Sequence, residues 1–174
     1  MKQLLSNDIV TLRPLEPTDL DLLYRWENDT ALWVVSDTVA PYSRKALWQY
    51  LEENTGDIYT QRQLRLMITL TEDGTAVGTV DFLNFDPLNN RAELGLFIIG
   101  EQRGKGMGHH ALELITAYAR EHIGLKQLYV FISTDNVACL RLFEHHGYRE
   151  VGVVNSWVKR GQNYQDVVLM QMIL

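Results

Sequence analysis

Residues 103–108 read Arg103-Gly104-Lys105-Gly106-Met107-Gly108, and this stretch decides how the chain folds. An apolar run, Ala92 to Ile99, leads into it, and an amphipathic helix over Met107 to His122 leads out. Together they make a strand, a glycine-rich turn and a helix N-terminus. The first N–H groups of a helix lack intrahelical partners, and the helix dipole places partial positive charge there. Three glycines at alternate positions let the backbone pass close to a bulky phosphate. Arg103 and Lys105 add two full charges. The stretch therefore reads as the seat of a pyrophosphate-bearing cofactor.

Downstream, Ala111, Leu114, Ile115 and Tyr118 share one helix face, while His109, Glu113, Thr116 and Arg120 share the other. Gly124 ends the helix, and Gln127 to Ile132 is a β-rich run. Strand, helix and strand in succession predict a parallel pair with a right-handed crossover. Asn136 can cap a last helix that stops at Gly147, Tyr148 to Val154 resumes as strand, and a loop holding Gly161 leads to a final strand near Val167 to Ile173.

Upstream, Ile9 to Arg13 alternates as a strand ended by Pro14, and Thr18 then caps a short helix carrying Leu20, Leu22, Leu23 and Trp26. Residues 29–42 read as a loop, and Ser43 caps a helix through Leu47, Trp48 and Leu51. Gln63 to Thr71 and Thr75 to Phe85 read as strands joined by the turn Glu72-Asp73-Gly74. A second turn, Asp86 to Asn90, makes Arg91 to Ile99 antiparallel to the strand before it. The expected class is α+β: a mixed sheet of about seven strands, antiparallel in its first half, with about four helices on both faces.

At 174 residues the chain fits one domain, 1–174. A formal net charge of -6 opposes nucleic-acid binding, which needs a basic footprint. The lone Cys139 excludes an internal disulfide and fits a reducing, cytoplasmic setting. The N-terminus shows no signal-peptide h-region, and no apolar run approaches the ~20 residues that span a bilayer. No membrane partner is therefore expected. The last strand, read as an edge, leaves a homo-oligomer open.

A dinucleotide fold places GxGxxG in its first βαβ unit, whereas here the spacing is GxGxG, after residue 100 and after an antiparallel meander. A nucleotide P-loop needs GxxxxGK followed by Ser or Thr, which is absent. The turn instead resembles motif A of the GNAT family of acetyl-CoA-dependent N-acetyltransferases, written Q/R-x-x-G-x-G/A, with Arg103, Gly106 and Gly108 in its three positions. The run from Asn136 to Gly147-Tyr148 resembles motif B, an Asn followed by a helix ending in Gly-Phe or Gly-Tyr. Arg-Ala-Glu-Leu-Gly at 91–95 and Asn-Tyr-Gln-Asp at 163–166 are similar to the branch that holds spermidine and ribosomal-protein N-terminal acetyltransferases.

The resemblance implies that Arg103, Gly104, Lys105, Gly106, Met107 and Gly108 hold the pyrophosphate of coenzyme A. It also implies that Leu96, Phe97 and Ile98 offer backbone groups to the pantetheine arm, one N–H polarising the acetyl carbonyl. Asn136 matches a cofactor-contacting position, and also suits a plain helix cap. Phe143 stands where many relatives carry the Tyr that protonates the leaving thiolate, and Phe has no proton to give. Tyr164 is a substitute hydroxyl, or else a loop aromatic covering the core.

An alkyl ammonium has a pKa near 10, so attack on a thioester needs a base. Glu93, on an otherwise apolar strand, is the first candidate; its alternative is a salt bridge to Arg91 or Arg13. Asp81, on the neighbouring strand, is the second.

His109, His110 and Glu113 have a metal-like helical spacing but read as a solvated surface group, so no metal is expected. His145-His146 reads as helix-end charge, and Cys139 as a small buried residue. Trp26, Trp33, Tyr42 and Trp48 pack between helices or wall an acceptor pocket. The leading reading is transfer of acetyl from acetyl-CoA to a primary amine, either a small polyamine-like or amino-sugar-like molecule or a protein N-terminus. Two other readings stay open: a non-catalytic acyl-CoA-binding module and a nucleotide-binding regulator.

Overall fold

A computed structural model of the chain describes residues 4–36 and 38–174. The N-terminal reading at 1–3 and the loop reading at Asp37 lie outside the described residues.

Seven strands form one sheet: β1 (Val10–Pro14), β2 (Leu64–Leu70), β3 (Ala76–Asp86), β4 (Arg91–Ile98), β5 (Gln127–Ser133), β6 (Arg149–Arg160) and β7 (Asn163–Ile173). Their order is β1-β2-β3-β4-β5-β7-β6. Every pair is antiparallel except β4–β5, which the helix α5 (Met107–Tyr118) bridges. The mixed sheet with an antiparallel first half is the architecture that the strand and turn signals predict.

Alternation along the strands sorts the side chains onto two faces. The register puts Arg13, Arg65, Asp81, Glu93, Gly95, Phe97 and Tyr129 on one face. Leu12, Leu66, Val80, Phe82, Leu94 and Leu128 lie on the other, buried beneath α5 with Ala111, Leu112 and Ile115. On the first face sit α1 (Leu20–Glu27) and α3 (Arg44–Glu53), packed on one another. The Trp26 ring meets Phe97 edge-on at 5.5 Å, and Glu27 reaches Arg65.

Local chemistry fixes most ends. Ser43 Oγ accepts from Ala46 N–H to open α3, and Asn136 Oδ1 accepts from Cys139 N–H to open α6 (Val137–His145). After α5 the chain makes one π-helical turn, Ala119–Ile123, and leaves through Gly124 at φ 74°.

Four readings need correction. Thr18 caps nothing: it lies within a 3-10 turn, Pro17–Asp19, and the buried Asp19 carboxylate takes Arg13 and the Glu16 N–H, each at 2.8 Å. The single-turn helix α2 (Trp33–Ser36) sits in the stretch read as a loop, and another, α4 (Ile58–Gln61), in a stretch given no assignment. The strand after Tyr148 runs on to Arg160. The last strand is no edge: β7 lies between β5 and β6, and the edges are β1 and β6.

The parallel pair is short. Only Arg91↔Gln127, Ala92↔Leu128 and Glu93↔Tyr129 are in register. Beyond them β4 stays on β3 up to Ile98↔Gly78, while β5 stays on β7 up to Ser133↔Val167. The sheet thus divides into two arms with a V-shaped gap between them. Among the described residues, no helix is long and apolar enough to cross a membrane.

Candidate active site

The gap opens toward the N-terminus of α5. Gly106 caps that helix at φ 84°, and no side chain caps it. Residues 103–106, which lead into the first turn of α5, are exposed. Arg103 folds back, Nε donating to Ile98 O at 2.9 Å, and keeps its two terminal amino groups beside the turn. Lys105 is exposed, while the Met107 side chain enters the core.

The glycines serve two purposes. Gly104 and Gly106 adopt φ values of 73° and 84°, which strain any other residue. Gly108 does not. A Cβ there would lie 3.3 Å from Leu142 and 3.5 Å from Leu96, so its missing side chain lets α5 sit down on the sheet and on α6.

Behind the gap, Gly78 was not singled out from sequence. A Cβ on it would lie 2.0 Å from the carbonyl oxygen of Phe97. Only glycine lets β4 press its backbone this close to β3 over Phe97 and Ile98. An isolated glycine inside a strand pattern is the signal that marks such an approach.

On the first face, Glu93 ends the shared register opposite Tyr129, and Asn84 Nδ2 donates to its Oε2 at 2.8 Å. Asn84 takes φ 49° in a bulge between Leu83 and Asp86, and the bulge aims it at Glu93. Burial, and then the Glu93 carboxylate, push the Tyr129 phenol up. Arg91 pairs with Asp86, and Arg13 with Asp19.

Asp81 lies two pairs further along, opposite Gly95, and is buried. Arg65 Nε donates to its Oδ1 at 2.6 Å, and Arg65 Nη1 donates to Glu27 Oε1 at 2.6 Å. Burial drives the Asp81 carboxyl up from its ordinary value, and Arg65 opposes the rise. Burial would lower the Arg65 guanidinium, but Asp81, Tyr50 and Glu27 outweigh it and hold it high.

The far arm supplies aromatics. Tyr129, Phe131 and Ser133 alternate along β5 with the buried Leu128, Val130 and Ile132, and all three stay half-buried. Trp157 stacks on Phe131 at 5.9 Å. A bulge at Ser156 (φ 52°), whose N–H donates to Asp166 Oδ1 at 2.7 Å, sits next to it.

The histidines depart from expectation. His109 is half-buried, its Nδ1 2.8 Å from Nε2 of His146, so α6 covers part of the face read as solvated. Thr116, on that face too, is buried. Burial first, then His109 and His145, hold His146 below the usual imidazole value, which makes it a poor helix-end charge. Among the described residues, no group of His, Cys, Asp and Glu has a metal-binding arrangement.

Residues 10–149 match the family described as acetyltransferase (GNAT) domain. The chain belongs to the GNAT family. It is 25% identical over 165 residues to spermidine N(1)-acetyltransferase of Escherichia coli (strain K12), covering 92% of this chain and 84% of that one. It is 24% identical over 182 residues to the putative ribosomal N-acetyltransferase YdaF of Bacillus subtilis (strain 168), covering 96% and 92%. The fold superposes on the crystal structure of spermidine N-acetyltransferase from Vibrio cholerae in complex with CoA and spermine, with TM-score 0.86, 23% identity, and 96% of each chain covered.

This GNAT chain is an acetyl-CoA-dependent N-acetyltransferase. Its geometry fits that donor: the start of α5 has no side-chain cap, and among the described residues the β4 edge beyond Glu93 pairs with no strand on the β5 side. Of the remaining predicted residues, Asn136 is exposed with its Oδ1 used as the cap and its Nδ2 free of that bond. Phe143 is buried edge-on against Tyr148 at 4.9 Å. Cys139, half-buried, has its thiol pushed up to about 11 by burial. Tyr164 is 60% exposed at the start of β7, opposite Lys159 and apart from the Glu93–Asn84 pair.

Proposed function

We propose that the enzyme acetylates a primary amine in a ternary complex, with Glu93 as base and the acceptor entering from the first face. The acceptor is a small molecule or a protein N-terminus; relatives named for spermidine and for ribosomal acetylation support both. The observation that carries this reading is the parting of β4 and β5 just past Glu93↔Tyr129, beside the uncapped start of α5. Bound acetyl-CoA supplies the thioester that the amine attacks.

Arg103, Lys105 and the N–H groups around Gly106 hold the diphosphate. Leu96, Phe97 and Ile98 present backbone groups to the pantetheine, and one N–H polarises the acetyl carbonyl. Glu93 removes the ammonium proton, directly or through one water. Asp81 is the weaker candidate because both its oxygens face Arg65, at 2.6 and 3.4 Å. Phe143 gives no proton. A coenzyme A thiol has a pKa near that of free cysteine, about 8.5, so the thiolate can leave and take its proton from water.

A thiol-release assay with acetyl-CoA and a panel of amines tests the proposal. Release that depends on an amine supports it. Tight acetyl-CoA binding with no release across the panel overturns it. Tyr164→Phe should leave the rate unchanged, and a large loss would make Tyr164 the acid.

A further inference from the structure

Arg160 ends β6, and its Nη2 donates to Ser133 Oγ at 3.2 Å. Its Nε is buried and has no hydrogen-bond partner. Arg13, Arg44, Arg65 and Arg91 each face a carboxylate, whereas Arg160 makes no ion pair among the described residues. A guanidinium carries five N–H donors. A buried donor left without an acceptor is costly, and a charge more so. A carboxylate is the shape that satisfies one edge of the fork with two parallel bonds.

The place of Arg160 gives this meaning. Glu93 is opposite Tyr129, so four residues further along each strand Phe97 and Ser133 stand level across the gap. Both lie on the first face by alternation. The Arg160–Ser133 pair therefore stands on the β5 side of the cleft. On the β4 side, level with it, is Phe97, in the segment assigned to the pantetheine. Phe131 and Trp157 stack close to the pair along the same strands.

We propose that Arg160, with the Ser133 hydroxyl beside it, holds a carboxylate of the acceptor. The acceptor is then an amine that also carries an acid, as an amino acid does, and not a polyamine, whose charges Arg160 repels. This rests on the amine-transfer reading above and narrows it.

The test uses triplets: an amino acid, its amide and its decarboxylated amine, with phenylalanine, phenylalaninamide and phenethylamine as one set and spermidine as the polycation. Acids should be turned over with kcat/KM roughly ten- to a hundredfold above their amides, the strength of a charged hydrogen bond. In Arg160→Gln the gap should close through KM, with the kcat of the amide kept, and Arg160→Lys should recover part of it. Calorimetry on the coenzyme A-loaded protein gives a second readout. Deaminated acids such as 3-phenylpropionate should bind the wild type and lose affinity in Arg160→Gln of equal melting temperature. Equal turnover across each triplet, spermidine as best acceptor, or a gap that survives Arg160→Gln overturns the proposal. If no amine of any class is consumed while coenzyme A binds, the amine-transfer reading has failed, and calorimetry alone decides the carboxylate site.

Discussion

Glu93 and Tyr129 are the last cross-strand partners before β4 and β5 separate, and Asn84 holds the Glu93 carboxylate from the neighbouring bulge. The proposed base therefore sits at the vertex of the gap, on the face proposed for the acceptor. Glu93→Gln should lower kcat by about 10²- to 10⁴-fold, the worth of a positioned base, and leave acetyl-CoA affinity alone. The acidic limb of the pH–rate profile should flatten. An unchanged profile removes Glu93 from the mechanism.

Gly78 backs the strand segment assigned to the pantetheine. Any Cβ meets the Phe97 carbonyl, which is main chain and cannot swing aside. Gly78→Ala should cost about 1–3 kcal/mol, as overfilled cores do, and should raise KM for acetyl-CoA together with a fall in kcat. Stability and KM both equal to wild type would show that β4 adapts.

Gly106 lies where the proposal seats the diphosphate. Gly106→Ala should cost about 1 kcal/mol from its left-handed φ of 84°. Gly106→Glu adds a negative charge at the same backbone cost, so the difference between the two variants isolates electrostatics. Acetyl-CoA affinity should fall far more in the second. Calorimetry showing equal Kd values would move the phosphates elsewhere.

His146 makes the fold sensitive to acid. Its neighbours are His109 and Glu113 on α5 and His145 on α6, with His110 beyond His109 and in reach of Asn7. The folded imidazole holds its proton less well than the unfolded one, so the unfolded chain binds more protons. Stability is full above about pH 6.5 and declines as the pH falls below that toward the depressed folded value. Urea titrations between about pH 5 and 8 should show this slope, and His146→Gln should flatten it. An identical slope in the variant would place the acid sensitivity elsewhere.

Much of this was legible in the chain. Ser43 and Asn136 announce helix starts because a cap needs only its own neighbours, and the turn at Gly74 announces a hairpin for the same reason. The order of strands around β7 was not, because an edge is defined by distant partners. His109 and Thr116 sit on the polar side of the helical wheel, yet His146 at the end of α6 meets His109, and Thr116 is buried. The bulges at Asn84 and Ser156 aim or flank site residues, but a bulge exists only relative to a partner strand. Arg160 looked like any other arginine until its Nε proved buried without a hydrogen-bond partner.

Among the described residues β4 and β5 share three in-register pairs, and the site proposed for coenzyme A is the space beyond them. The donor would then act as a missing strand, knitting together halves that the polypeptide alone leaves loosely stitched. By mass action each tenfold excess over Kd should add about 1.4 kcal/mol of resistance to unfolding. Acetyl-CoA supply would set how long this enzyme survives as well as how fast it works.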